Sequence, residues 1–326
     1  MKKLLLLFTI VLSIFFVSCN ENKDGNDKKT DEISFYETEL IITPDSVDLF
    51  GTLLMPDSLG EFPLVIIVAG SGPTDRNGNN PLGVTAKPYE LLADTLVKSG
   101  VATFRYDKRG IAKSVAKGLK EEDLSFDTYV NDLIFIVNEL KKDKRFNKII
   151  ILGHSEGALI GAIASNEINA DKFISVSGVS RPADLILIEQ LVNGLNVDKT
   201  RIKSIIEQIK EGKIAVVEEP ELQSIFRPSV QPYLASWFKY NPVDVYAQLT
   251  MPVLIIHGTT DIQVPPQDAE SLAFACPKST LSIIEGMNHV LKTAPADTIE
   301  NSKTYSNSKL PLKEKLVEDI IDFVLK

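Results

Sequence analysis

The residues most able to do chemistry are Gly153-His154-Ser155-Glu156-Gly157, which follow an apolar run ending at Leu152 and precede the small-residue stretch Ala158 to Ala164. A serine between glycines at this spacing fits a sharp strand-to-helix turn that pushes its hydroxyl outward as a nucleophile. A hydroxyl attacks a carbonyl at neutral pH only with a base in hydrogen-bond reach, and histidine is the usual one. The chain has 3 histidines. His154 sits beside the serine, its side chain expected to point elsewhere, and His257 ends the apolar run Val253 to Ile256. His289 is left, in the loop Gly286-Met287-Asn288-His289 after the apolar run Leu281 to Ile284. Alone it would read as a solvated loop residue; with Ser155 upstream and no rival, it reads as the general base.

That base needs a carboxylate to hold its tautomer and stabilise the imidazolium. Asp261, in Gly258-Thr259-Thr260-Asp261, follows the run holding Ile255 and Ile256 and precedes Val264-Pro265-Pro266, where a helix is expected to begin. Asp244 is the weaker candidate because it lies before that run, and Asp261 could also merely turn its loop. Acyl transfer further needs two backbone N–H donors aimed at the developing oxyanion. The amide of Glu156 is one expected donor; the other is that of Ser71 in Ala69-Gly70-Ser71-Gly72-Pro73, with Gly72 as the alternative. No metal or cofactor is implied. Asp75-Arg76-Asn77-Gly78-Asn79 echoes a calcium loop, but Asn80 stands at its sixth position instead of Gly and Ala86 at its twelfth instead of Glu. Arg105, Asp107 and Arg109 could bind a substrate carboxylate, and salt bridges beneath the site are the plainer expectation.

Positioning such groups requires a rigid frame, and short, largely apolar runs supply it. Leu64 to Ala69, Val101 to Tyr106, Ile149 to Leu152, Phe173 to Val176, Val253 to Ile256 and Leu281 to Ile284 read as parallel strands buried between helices, interrupted only by Thr103, Arg105, Ser175 and Ser282. Tyr89 to Lys98, Asp127 to Lys141 and the closing Leu312 to Val324 carry helical periodicity. Ahead of them, Phe35 to Ile42 and Val47 to Leu54 flank Thr43-Pro44-Asp45-Ser46, which is hairpin chemistry. The predicted class is α/β: a mostly parallel central sheet flanked by helices, led by an antiparallel hairpin. Between Ser177 and Val253 the chain is too long for a crossover helix. Helical patterns at Asp184 to Leu195 and Lys199 to Lys210, then a Pro-punctuated stretch from Phe226 to Tyr246, predict a helical cap inserted at about 180–248. Its aromatics Phe226, Tyr233, Trp237, Phe238 and Tyr240 either form the cap's own core or line an acyl pocket.

The N-terminus reads as address rather than fold. Lys2 and Lys3 precede an apolar run from Leu4 to Val17, broken only by Thr9 and Ser13, short for a membrane span and suited to a secretory signal. Ser18-Cys19 resembles the lipobox of bacterial lipoproteins, although Phe16 stands where Leu is usual. The alternatives are an ordinary signal peptide or a retained anchor. Residues 1–18 are thus expected to be a lipoprotein signal, with Cys19 lipidated, 19–32 a polar tether, and 33–326 the working domain in the bacterial cell envelope. Removing the leader takes two of the 35 basic residues and none of the 44 acidic ones, moving the formal charge from −9 to −11. An acidic chain does not suit nucleic acid. With Cys19 modified, Cys276 is the one remaining thiol, so stability must come from the core of a chain that is 44% hydrophobic.

Four segments together resemble the EstD-type bacterial carboxylesterases of the α/β-hydrolase superfamily: Ala69 to Asn79, Arg105-Tyr106-Asp107-Lys108-Arg109-Gly110, the turn at Ser155, and His257 to Asp261. The order Ser155, Asp261, His289 is the one α/β-hydrolases use. These stand near the serine aminopeptidase and prolyl-oligopeptidase-like groups, and the likeness runs from about Phe35 to the C-terminus. It implies hydrolysis of small, short-chain acyl esters through an acyl-enzyme. An exopeptidase or thioesterase on the same residues is the alternative, and a non-catalytic envelope binding protein is the reading from a different class.

Overall fold

A computed structural model describes residues 35–195 and 197–326. The leader, Cys19 and the whole of the tether lie outside the described residues. Along the chain come strands β1 (Tyr36–Ile42), β2 (Leu49–Met55) and β3 (Phe62–Val68), helix α1 (Pro88–Lys98), β4 (Ala102–Tyr106), α2 (Phe126–Leu140), β5 (Phe146–His154), α3 (Glu156–Ile168) and β6 (Lys172–Val176). Five helices follow: α4 (Ala183–Leu195), α5 (Lys199–Lys210), α6 (Pro220–Phe226), α7 (Gln231–Trp237) and α8 (Pro242–Tyr246). The chain closes with β7 (Val253–Gly258), α9 (Pro266–Ala275), β8 (Thr280–Ile284), α10 (Thr298–Lys303) and α11 (Glu314–Leu325).

All eight strands form one sheet in the order β1-β2-β4-β3-β5-β6-β7-β8. β1 pairs antiparallel with β2, and β2 with β4; every later pairing is parallel. Alternation along a strand sends successive residues to opposite faces. Leu64, Ile66 and Val68 of β3 therefore pack toward α2 and α3, while Val65 and Ile67 pack toward α1 and α11. β8 departs from the two-sided burial its sequence suggested. It ends the sheet, where cover is incomplete, so Leu281 and Ile283 stay 39% and 38% exposed while Ile284 is buried.

The helical cap, α4 to α8, interrupts the chain between β6 and β7 and has a core of its own, built on Ile202, Ile205, Ile206, Ile209, Leu222 and Phe226. Buried Gln231 staples it: its carboxamide accepts from the Ala215 N–H and donates to the carbonyls of Ala215 and Phe226. α6, α7 and α8 each start with proline in the first turn, where no N–H is needed. The Phe126 N–H donates to Ser236 Oγ at 2.7 Å, and the Phe126 ring stacks on Trp237, joining cap to body. Cys276 is a buried free thiol.

Candidate active site

Ser155 is the single residue between β5 and α3, with φ 55° and ψ −121°. Positive φ strains a residue with a side chain, and its surroundings must hold it there. The Ser155 N–H donates to the Val176 carbonyl at 2.9 Å, and its own carbonyl accepts from Ala158. The flanking glycines are required by close approach: a Cβ at Gly153 would lie 2.2 Å from the Gly157 oxygen, and one at Gly157 would lie 2.4 Å from the Val68 oxygen. Sheet twist and these contacts put the serine at the carboxyl ends of the parallel strands, where α/β sheets bind ligands.

Asp261 and His289 come from the loops after β7 and β8. His289 Nδ1 donates to Asp261 Oδ2 at 2.7 Å, and Asp261 Oδ1 accepts from the N–H groups of Gln263 and Val264. Burial pushes the Asp261 carboxyl up, but the facing His289 and these two N–H groups outweigh it and hold it well below the usual carboxylate range. With Nδ1 donating, neutral His289 presents a lone pair at Nε2. His289 and Ser155 line one cleft together with Ser71. Asp244 instead accepts from Asn241 in the first turn of α8.

The other two histidines are buried behind this pair. His257 Nε2 donates to the Val264 carbonyl at 2.9 Å and lies 3.7 Å from Asp261 Oδ2; burial lowers its pKa. His154 does not point away from the site, as its place on the turn had suggested. Its Nε2–H donates to the His289 carbonyl at 2.9 Å, which leaves Nδ1 to accept from the Tyr89 hydroxyl at 2.9 Å. The Tyr89 oxygen in turn accepts from the Gly70 N–H. Burial lowers the His154 pKa to about 3, so the ring is neutral. This chain of contacts joins three loops, and it was invisible in sequence because its partners meet only in space.

Among the described residues, neither the Ser71 nor the Glu156 amide donates to a protein acceptor, so both are open to a ligand. The Gly72 amide is equally unengaged, but Ser71 lines both of the cavities that Ser155 lines, and Gly72 lines neither of them. The Glu156 carboxylate, on the same residue as one of these amides, accepts from Lys108 Nζ at 2.8 Å and from the Tyr233 hydroxyl at 2.7 Å. Lys108 was passed over in sequence in favour of its neighbours. Of those, Asp107 pairs with Arg76, Arg109 with Asp132, and Arg105 hydrogen-bonds to Asn77 rather than to an acid. Asp75 takes the N–H groups of Asn77 and Asn79 and so shapes its turn.

Two cavities meet at Ser71, Glu156 and Trp237. The smaller, about 260 Å³, lies between Leu159, Ile186, Leu187 and Pro242; the larger, about 510 Å³, lies between Ile111, Leu119, Leu124 and Tyr129. A third, about 200 Å³, opens beside His289 and is lined by Asn80, Gln263 and Tyr305. Of the cap aromatics, Tyr233 and Trp237 reach the cleft. Phe226 and Phe238 belong to the cap core, and Tyr240 packs on Phe126 and donates to Asp127.

This sheet order, a serine elbow after β5 and a helical cap after β6 define an α/β-hydrolase. The chain belongs to the family described as serine aminopeptidase, S33, whose profile matches residues 82–294. It is similar to esterase EstD of Thermotoga maritima, 26% identical over 264 residues, which are 80% of this chain and 60% of that protein. A monoglyceride lipase of Rattus norvegicus is 25% identical over 216 residues, 62% of this chain and 71% of the lipase. Est1E of Butyrivibrio proteoclasticus shares the fold, with a TM-score of 0.57 at 20% identity, over 88% of this chain and 99% of Est1E. Thus the chain spans about three fifths of the length of EstD.

Proposed function

We propose that the protein hydrolyses carboxylic esters of small acyl groups through an acyl-enzyme. Ser155 Oγ attacks the ester carbonyl while His289 Nε2 takes its proton, and Asp261 orients the ring and stabilises the imidazolium. The amides of Ser71 and Glu156 stabilise the oxyanion. His289 then protonates the departing alkoxide, and water repeats the sequence on the acyl-enzyme. The observation that favours an ester over an aminopeptidase substrate is that both carboxylates lining the larger cavity are already engaged. Glu156 is bound to Lys108 and Glu121 to Arg227, so neither is free to hold a substrate ammonium, and the remaining walls are mostly apolar. The names of EstD and the monoglyceride lipase agree with this reading.

Purified protein is expected to turn over short-chain p-nitrophenyl esters and to be labelled by a fluorophosphonate probe, with both lost in Ser155→Ala. Faster turnover of aminoacyl amides or acyl thioesters than of esters would overturn the substrate assignment. We also propose that the protein is exported and anchored to a membrane through lipidated Cys19, on the strength of Lys2-Lys3, the apolar run and Ser18-Cys19. Metabolic labelling with a fatty acid should mark the full chain and not Cys19→Ala; an unlabelled membrane fraction would refute the anchor.

A further inference from the structure

We propose that Lys108 sets the oxyanion hole, by holding the Gly70–Ser71 peptide in the orientation that aims the Ser71 N–H into the cleft, and that Glu156 and Tyr233 tie this setting to the cap. The inference rests on the ester-hydrolase reading for the role of the Ser71 amide. Lys108 is only 2% exposed, and its ammonium donates to the Gly70 carbonyl at 2.8 Å and to Glu156 Oε1 at 2.8 Å. The face of the Tyr129 ring lies 4.9 Å away, a third favourable contact for the charge.

The Gly70 bond matters because of peptide geometry. A trans peptide directs its C=O and N–H to opposite sides, and the described residues contain no cis bond. Fixing the Gly70 oxygen toward Lys108 therefore turns the Ser71 N–H away from Lys108, with no protein acceptor to draw it elsewhere. The Gly70 N–H is held as well, by the Tyr89 oxygen at 3.1 Å. A side chain would crowd this position, because a Cβ on Gly70 would come within 3.2 Å of the Ser155 Cβ and one of the two would have to shift by a few tenths of an ångström. Without Lys108 the peptide could rotate, and the donor would no longer meet the oxyanion at the moment of reaction.

The second bond of Lys108 removes an electrostatic obstacle. Glu156 carries a buried carboxylate on the residue adjacent to the nucleophile, beside the place where negative charge develops. In a poorly polarisable interior that carboxylate would oppose the oxyanion, and the ammonium 2.8 Å away offsets it. Its other oxygen is held by Tyr233 of α7, so displacement of the cap is transmitted to the Glu156–Lys108–Gly70 chain. Lys108 is thus a positioning residue, acting through the Ser71 amide.

The test separates holding the peptide from neutralising the charge. In Glu156→Gln the ester kcat should fall only a few-fold, because Lys108 still holds Gly70. In Lys108→Met it should fall about a hundredfold with KM nearly unchanged, and affinity for a boronic-acid transition-state analogue should fall in parallel. The double variant Lys108→Met/Glu156→Gln leaves no buried charge unpaired, so it folds even where Lys108→Met does not. It should still be impaired at least tenfold in kcat and boronate affinity relative to Glu156→Gln. Equality of the double variant with Glu156→Gln would overturn the proposal and reduce Lys108 to a counter-charge. If the wild type hydrolysed no ester yet lost boronate affinity with Lys108, the ester reading would fail and this inference would stand.

Discussion

Asp261 serves three neighbours with two oxygens, one for His289 and one for a pair of backbone amides, and this division fixes what its replacement should do. Asp261→Asn preserves the shape but can offer His289 an N–H where it needs an acceptor, which favours the wrong tautomer. The expected loss is about 10⁴-fold in kcat with the fold intact, read by steady-state kinetics beside circular dichroism. His154 makes a second residue-scale prediction, on stability. Burial holds it neutral down to about pH 3, against about 6.5 for an exposed histidine. Between those values the unfolded chain binds a proton that the folded chain refuses, so His154 favours unfolding progressively as pH falls from 6.5 toward 3. Urea midpoints should therefore drop more steeply with acid in the wild type than in His154→Gln; parallel curves would show that the ring titrates normally. Ser155, Asp261 and His289 could be singled out as candidates in the sequence because each lies in a loop shortly after an apolar run. Tyr89, His154 and Lys108 could not, since Lys108 meets partners 38 and 48 positions away, and only the fold decides that.

Elements were legible in proportion to how much apolar surface they bury. The parallel strands stood out as largely apolar runs, and α1, α2, α5 and α11 as periodic ones, with the helix ends within two residues of those observed and the start of β5 three residues earlier. α7 and α8 are too short for a period and were visible only as a proline-punctuated stretch, and α6, which ends where that stretch begins, gave no separate signal. α10 gave no signal at all, because the residue it buries is Asn301, a polar one. That asparagine carries structural weight beneath the site. Its amide donates to the carbonyls of Thr260 and Pro295, and its oxygen accepts from Asn288, so α10 braces both the Asp261 loop and the His289 loop. Asn301→Ala would strand two carbonyls and one amide in a buried setting, each worth about 1–3 kcal/mol when left unpaired, less whatever water recovers. Denaturant unfolding should register a loss of about 2–3 kcal/mol. Because both loops would loosen, kcat should fall more than KM rises. A stable variant with normal kcat would show that α10 is only peripheral cover.

At the scale of the molecule, cap and body are two cores joined by an aromatic seam, and that seam borders the cavities that meet at Ser71 and Glu156. Trp237 is its key member: it stacks on Phe126 of the body at 5.8 Å and lines both the cavity of about 260 Å³ and the one of about 510 Å³ where they meet, so it is expected to act as the wall between them. With the wall in place an acyl chain must fit one cavity or the other, and gain per methylene stops when that cavity is full. Each methylene buried contributes about 0.8 kcal/mol, roughly fourfold in binding, so the position of the wall should be readable as a break in a chain-length series. Trp237→Ala opens one space into the other. Short acyl esters then lose packing and should be hydrolysed less well, whereas esters longer than the present break should gain, moving the optimum of kcat/KM to longer chains. The cap should also dock less firmly, so a lowered Tm is expected alongside. The measurement is kcat/KM across p-nitrophenyl esters of increasing acyl length for both proteins. A uniform loss at every length, with no shift of the optimum, would mean that Trp237 holds the cap in place but does not divide the site.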